Sequence, residues 1–101
     1  MLEFIDDEEK AATAAELFKV MGHPLRLRMV AALCAEPTHV GALAERLEIP
    51  QPIVSQHLRI LRMRGLVRSE RVNGLAVYHL ANPHLRQMMG CVKTCVGSDP
   101  A

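Results

Sequence analysis

Aromatic residues are scarce in this chain of 101 residues, which has no Trp, one Tyr and two Phe. Half of the residues are nonetheless hydrophobic, so the core must be built from Leu, Val, Ile, Met and Ala, as is typical of helix packing. No apolar run reaches the ~20 residues of a membrane span, and the acidic segment after Met1 does not resemble a signal peptide. We therefore expect one cytoplasmic domain over residues 1 to 101, small enough for a second subunit to help stabilise it.

Net charge is also nearly absent, at +1, which is unusual for a protein that binds nucleic acid. The charges are, however, segregated along the chain. Residues 1 to 16 hold six acids and one Lys, a net charge of −5, whereas residues 51 to 73 hold five Arg and one Glu, a net charge of +4. Because arginine contacts phosphate groups bidentately, the basic segment favours a polyanionic partner over a surface that is merely solvated.

Apolar periodicity predicts three helices before residue 48. The first spans residues 6 to 21 and ends at Gly22. The second spans residues 24 to 35 and is apolar on nearly all sides, so we expect it in the centre of the fold. The third has Thr38 as its N-cap, because a hydroxyl at that position can accept a hydrogen bond from a free backbone N–H.

A fourth helix follows a break at residues 48 to 50 and has two different faces. Val54, Leu58 and Leu61 form its apolar face. The side chains of the opposite face can hydrogen-bond to base edges or phosphates, and none of them is needed in a core. The residues of this helix that we expect to contact DNA are Gln51, Pro52, Ser55, Gln56, His57, Arg59 and Arg62.

The dipeptide Asn73-Gly74 predicts a β-hairpin, because both positions of a two-residue type I′ loop need a positive φ. Counting outward from the loop gives three cross-strand pairs, Val72 with Leu75, Glu70 with Val77 and Arg68 with His79. Two helices followed by such a hairpin predict a mainly α winged helix-turn-helix fold, which places one helix in a DNA groove. The hairpin residues expected at the DNA are Arg68, Arg71, Asn73 and Gly74.

With its elements in this order, the chain resembles the ArsR/SmtB family of bacterial winged-helix repressors. The resemblance covers about residues 10 to 96. It rests on GHPLRL, which opens the second helix, and on LAERLEIPQPIVSQHLRILRMRGLV from Leu43 to Val67. The resemblance implies a homodimer that binds an operator and leaves it when an inducer binds. Glu48 departs from the Gly that the family often has at this helix end, and a left-handed backbone there would cost roughly 1 kcal/mol.

A last helix is predicted after Asn82, which can cap it, and Pro83, which suits its first turn. This helix and the first one each carry an apolar stripe that the helix-turn-helix does not need. Pairing through both helices would set the two copies of the fourth helix, the reading helix that enters the DNA groove, about one DNA turn apart. This arrangement predicts an inverted-repeat operator. The alternative is that both stripes only complete the core of a monomer.

Inducer sensing can be compared with the family's sites residue by residue. The third helix has no closely spaced cysteines for an arsenic or cadmium site. The family's zinc pattern on the last helix retains only His84, since Asn82, Cys95 and Ser98 occupy its other positions. Cys91 and Cys95 lie one helical turn apart, so they could bind a soft metal ion or metalloid, become oxidised, or simply pack. Some relatives pair a cysteine of the second helix with one of the last, and Cys34 lies in the second helix.

Two other classes of protein compete with a DNA-binding regulator. A winged-helix module that binds only proteins would carry acids or apolar groups on its reading helix, which Arg59 and Arg62 argue against. A small thiol oxidoreductase would need a Cys-x-x-Cys motif, a βαβ pattern or a general base near its thiols, and the sequence has none of these. We therefore expect no enzyme. The operator, the inducer and the sign of regulation are not encoded in any motif.

Overall fold

The computed structural model of the chain describes residues 3 to 97. Within this range, the chain forms α-helices and a three-stranded antiparallel sheet whose strands lie between helices in the sequence. The helices are α1 (Glu3–Asp6), α2 (Glu8–Met21), α3 (Pro24–Ala35), α4 (Val40–Leu47), α5 (Gln51–Met63) and α6 (His84–Gly97). The strands are β1 (Thr38–His39), β2 (Val67–Val72) and β3 (Leu75–Leu80), in the spatial order β1-β3-β2. The predicted winged helix-turn-helix fold is confirmed.

The apolar helix α3 lies in the centre of the molecule, as its composition predicts. Met29, Val30 and Leu33 on this helix are at most 1% exposed, and α3 contacts α2, α4, α5, α6 and β3. The guanidinium of Arg28 donates to the carbonyl oxygen of Leu47 at 3.1 Å, which ties α3 to the end of α4. The helix-turn-helix therefore rests on a core of aliphatic side chains.

The turn between α4 and α5 is tightened by a left-handed residue. Glu48 has φ 57° and ψ 43°, so the sequence-based concern about this position is confirmed. The backbone N–H of Ile49 donates to the carbonyl oxygen of Ala44 at 3.1 Å, which closes the helix end. The side chain of Ile49, half-buried against the core, holds the chain as it enters α5.

The start of α4 differs from the prediction. Thr38 is not the N-cap, because its backbone is extended in β1 and pairs with Tyr78 of β3. The cap is His39, whose Nδ1 accepts a hydrogen bond from the N–H of Ala42 at 3.3 Å. The hairpin consequently gains a third strand, β1, which anchors β3 to the helix-turn-helix.

The wing formed by β2 and β3 has the register that was predicted. Val72 pairs with Leu75, and Asn73 and Gly74 between them have φ values of 51° and 83°. The pairs Glu70 with Val77 and Arg68 with His79 are also present. The prediction succeeds because the loop type fixes every pair that follows it.

Helix α2, near the N-terminal end, and helix α6, at the C-terminal end of the described residues, are only partly buried. On α2, Met21 is buried but Phe18 is 62% exposed; on α6, Leu85 is buried but Val96 is 80% exposed. The predicted caps are present, with Gly22 at the end of α2 and Asn82 accepting from the N–H of His84 at 2.8 Å. No helix within residues 3 to 97 is long and apolar enough to cross a membrane.

Candidate nucleic-acid interface

Helix α5 presents a polar and cationic face to solvent. Its apolar residues Val54, Leu58 and Leu61 are at most 1% exposed and fix the helix on the core. The predicted interface residues on its other side are exposed: Gln51, Pro52, Ser55, Gln56, Arg59 and Arg62. Because the apolar side of the helix is buried, these polar side chains face solvent and can contact a partner.

The N-terminal end of α5 suits an anionic group. Its N-cap is Pro50, which supplies no side-chain acceptor, and the first turn contains no acidic residue. The partial positive charge of the helix dipole is therefore not neutralised there by a side chain. A phosphate or the electronegative edge of a base would be favoured at this end.

Gln51 is held near the start of α4. A Cβ at Gly41 would lie 3.7 Å from Oε1 of Gln51 and 3.3 Å from the ring of His39. The glycine thus leaves room for the Gln51 amide and the capping imidazole to approach the same piece of backbone. Sequence periodicity cannot reveal this close approach, because it depends on the packing of α4 against α5.

His57 is the residue of the predicted set that lies away from the exposed face. Its ring packs against that of His23, the N-cap of α3, with ring centroids 4.7 Å apart. Burial lowers the pKa of His57, and the nearby His23 and Arg26 lower it further. The structure therefore places His57 where it would support α5 from behind.

The wing carries cations that are already in contact with neighbouring groups. Nη1 of Arg71 donates to the carbonyl oxygen of Gly74 at 2.7 Å, across the tip of the hairpin. Nη1 of Arg68 lies 3.7 Å from one carboxylate oxygen of Glu70, and Nε2 of His79 lies 3.1 Å from the other. His79 thus contacts Glu70 on the wing. Glu70 reduces the positive charge that Arg68 offers to a polyanion.

Ile53 is a residue at this surface that the sequence analysis did not single out. Its side chain is 41% exposed in the first turn of α5, beside residues that were predicted to contact DNA. The sequence signal for its exposure is the neighbouring Val54. Because Val54 takes the buried position on the helix, Ile53 is turned outward.

The cysteines lie on α3 and α6 rather than on α5 or the wing. Cys34 is half-buried in a groove of about 600 Å³ between α3 and α6. Burial raises the pKa of its thiol, an effect that the charge of Arg86 partly opposes; Arg86 also donates to the carbonyl oxygen of Cys34. Cys91 and Cys95 are exposed and, like Cys34, unbridged.

The metal-binding patterns are not assembled within the described residues. Between residues 3 and 97, no three His, Cys, Asp or Glu side chains are grouped so that they could hold a metal ion. His84 lies 3.2 Å, from Nδ1 to Oε1, from Gln87, and Ser98 is outside the described residues. Sensing by Cys34, Cys91, Cys95 or His84, through a soft metal ion, a metalloid or thiol oxidation, stays a prediction.

Known proteins share both the sequence and the architecture of this chain. The family model described as bacterial regulatory protein, arsR family, matches residues 23 to 69. The HTH-type transcriptional repressor SmtB of Mycobacterium tuberculosis is 38% identical over 76 residues, which are 75% of this chain and 56% of that protein. The biofilm growth-associated repressor of Xylella fastidiosa is 34% identical over 89 residues, 88% of this chain and 78% of the relative.

A solved structure extends the similarity to the whole fold. The transcriptional repressor BigR from Xylella fastidiosa superposes with a TM-score of 0.84 at 32% identity, covering 93% of this chain and 96% of that one. The chain spans little more than half of the length of the SmtB relatives. The matches over the helix-turn-helix and the wing confirm the resemblance on which the sequence analysis rested, and the chain belongs to the ArsR family of bacterial regulatory proteins.

Proposed function

We propose that this protein is a transcriptional repressor that binds a double-stranded DNA operator as a homodimer. The observation that carries the proposal is the amphipathic helix α5. Its aliphatic side is buried, and its opposite side exposes a row of hydrogen-bonding side chains to solvent. A helix held in this way behind a wing fits the major groove. Relatives with this fold bear the name repressor. To reach a DNA operator, the protein would act in the cytoplasm.

The exposed residues divide into two roles. Gln51, Ser55, Gln56 and Arg59 would read base edges, because amides and guanidinium groups match the donors and acceptors of the major groove. Arg62, Arg68 and Arg71 would hold phosphates. Asn73 and Gly74 give the wing its tip, with both φ values positive.

The homodimer follows from apolar surface that a single protomer leaves exposed. Phe4, Ile5 and Phe18 near the N-terminus are 49%, 75% and 62% exposed, and Val96 on α6 is 80% exposed. Their burial against a second copy would remove this surface from water. Two-fold pairing then predicts an operator with inverted half-sites.

The first experiment identifies the operator and tests the division of roles. The full chain is used to enrich duplexes from a random pool, and affinity is measured by fluorescence anisotropy on the enriched site and on a scrambled duplex. We expect Arg59→Ala to weaken binding to the enriched site by about 5- to 150-fold, the range of one bidentate base contact, with little change on the scrambled duplex.

Arg62→Ala provides the contrasting result. Loss of a phosphate contact should weaken binding to both duplexes and reduce the slope of log affinity against log salt by about 1. Lys93→Ala, which removes an exposed charge from α6, is the matched control and should leave both affinities unchanged. Failure of the wild-type chain to enrich any duplex would contradict the proposal and favour a protein-binding module.

A further inference from the structure

One exposed apolar side chain interrupts the polar face of the reading helix. In the first two turns of α5, which the structure describes in full, Ile53 is the single large apolar side chain in solvent, at 41% exposure. Isolated apolar residues are common on protein surfaces. Ile53 is different because it stands in the turn that enters the groove in helix-turn-helix complexes.

The backbone around Ile53 is unusually restricted. Pro50 and Pro52 precede it and fix φ at both positions, and the N–H of Ile53 donates to the carbonyl oxygen of Pro50 at 3.0 Å. A β-branched side chain in a helix also has one strongly preferred χ1 rotamer. The side chain is therefore presented in a fixed direction, and little conformational entropy is lost when it is covered.

The side chain beside Ile53 indicates what could cover it. Gln56 is three residues further along α5 and exposed, so the two side chains are neighbours on the helix surface. Gln51, the amide at the start of α5, instead lies beside Gly41 of α4. Ile53 and Gln56 thus form an adjacent exposed pair across the first two turns, one apolar and one able to make two hydrogen bonds.

This pair matches the major-groove edge of an A·T base pair. Adenine offers N7 and N6 to a bidentate amide, and thymine presents its 5-methyl group, the apolar feature that distinguishes it in the groove. We propose that Ile53 is a specificity-determining residue that contacts the 5-methyl group of a thymine, in the A·T pair read by Gln56 or in the adjacent pair. This inference rests on the proposed DNA binding.

Replacing thymine by uracil tests the contact, because uracil lacks only the methyl group and keeps every hydrogen-bonding atom. Each thymine of the enriched operator is replaced in turn, symmetrically in both half-sites, and affinity is measured with the full-length chain. With the wild type we expect one position at which uracil weakens binding about fourfold per half-site, the effect of leaving one methyl-sized group unburied. With Ile53→Ala, thymine and uracil at that position should bind equally.

Two further variants keep the result interpretable. Ile53→Ser removes the same contact with a different side chain and should also bind thymine and uracil equally at that position. Both truncations are measured at low salt, where phosphate contacts keep affinity high. Met63→Ala removes an apolar side chain that is 74% exposed at the far end of α5 and should retain the uracil penalty. Thermal unfolding of each variant verifies that it is folded.

The outcomes separate this inference from the proposed function. If the wild type binds its enriched operator but no thymine shows a uracil penalty, or if the penalty persists in both truncations, Ile53 does not read a methyl group while DNA binding stands. If the wild type enriches no duplex, the proposed function fails and the inference fails with it.

Discussion

At the scale of the single residue, His57 connects the reading helix to the core beneath it. Its Nδ1 is buried without a hydrogen-bond partner among residues 3 to 97, and so is Nε of Arg26. His23 lies against the His57 ring, and its own Nδ1 accepts from the N–H of Leu25 at 3.1 Å. A proton on His57 would add a positive charge beside a guanidinium in a partly desolvated site, so the neutral imidazole is favoured there.

The lowered pKa of His57 predicts a loss of stability in mild acid. At pH values below the ordinary histidine pKa of 6.5, His57 binds a proton more readily in the unfolded chain than in the folded chain. The free energy of unfolding therefore falls as the pH decreases. The stability that the neutral His57 ring contributes is fully present above about pH 6.5 and is lost as the pH falls towards the lower pKa of the folded state. Urea denaturation of wild type and His57→Gln at pH 7.5, 6.5 and 5.5 measures it.

The expected signature is a difference in slope between the two proteins. His57→Gln removes the titrating group, so its free energy of unfolding should decline less between pH 6.5 and 5.5 than that of the wild type. His84→Gln, a histidine exposed on α6, serves as the control and should follow the wild type. Parallel pH profiles for wild type and His57→Gln would show that protonation of this ring does not lower the free energy of unfolding.

At the scale of the element, the turn between α4 and α5 contains backbone strain that a substitution can relieve. Glu48 adopts φ 57°, where a Cβ is unfavourable. Glu48→Gly should raise the free energy of unfolding by about 0.5–1 kcal/mol, since relief of the left-handed strain exceeds the added flexibility of glycine in the unfolded chain. The urea midpoint at constant m-value measures the gain.

Glu36→Gly is the matched control for this turn. Glu36 is also an exposed glutamate at a helix C-cap, but its φ of −165° is extended backbone that any residue adopts. Glycine there only loosens the unfolded chain and should lower stability. If both glycine variants move the midpoint in the same direction, strain at Glu48 is not the cause.

The elements that could be predicted are those whose signals are local. The wing register follows from Asn73-Gly74, and the two faces of α5 follow from the spacing of Val54, Leu58 and Leu61. Strand β1 has only two residues, too short for any periodicity, and it pairs with Tyr78 on a distant part of the chain. The contact of Glu70 with both Arg68 and His79 likewise depends on cross-strand geometry that forms only when the sheet does.

At the scale of the whole molecule, the cations and one group of exposed apolar side chains lie on different elements. The cations of α5 and the wing lie in one continuous part of the chain, residues 51 to 73. That group is Phe4, Ile5, Phe18 and Val96, on the first two helices and on α6; Ile53, Met63, Val72 and Leu75 are exposed singly on α5 and the wing. This arrangement would allow two copies to associate without covering α5, because the proposed association and the proposed DNA contact involve different elements.

The separation can be tested with a charge placed on the apolar surface of α2. Phe18→Glu should convert the dimer to a folded monomer of 11.2 kDa, because two copies would have to bury a carboxylate in place of a phenyl ring. The lost burial of two Phe side chains, about 1.5–3 kcal/mol each, raises the dimer dissociation constant at least 100-fold. Sedimentation equilibrium gives the mass, and far-UV circular dichroism verifies that the helices are retained.

The matched control for Phe18 is Leu75, which is 53% exposed on the wing. Leu75→Glu adds the same charge at a similarly exposed apolar position and should keep the dimeric mass, because the proposed dimer interface lies on the first two helices and α6, not on the wing. Operator affinity of Phe18→Glu should fall steeply, since each half-site then binds one protomer without the help of the other. A dimeric mass for Phe18→Glu, or a monomeric wild type that still binds the inverted repeat tightly, would exclude α2 from the interface.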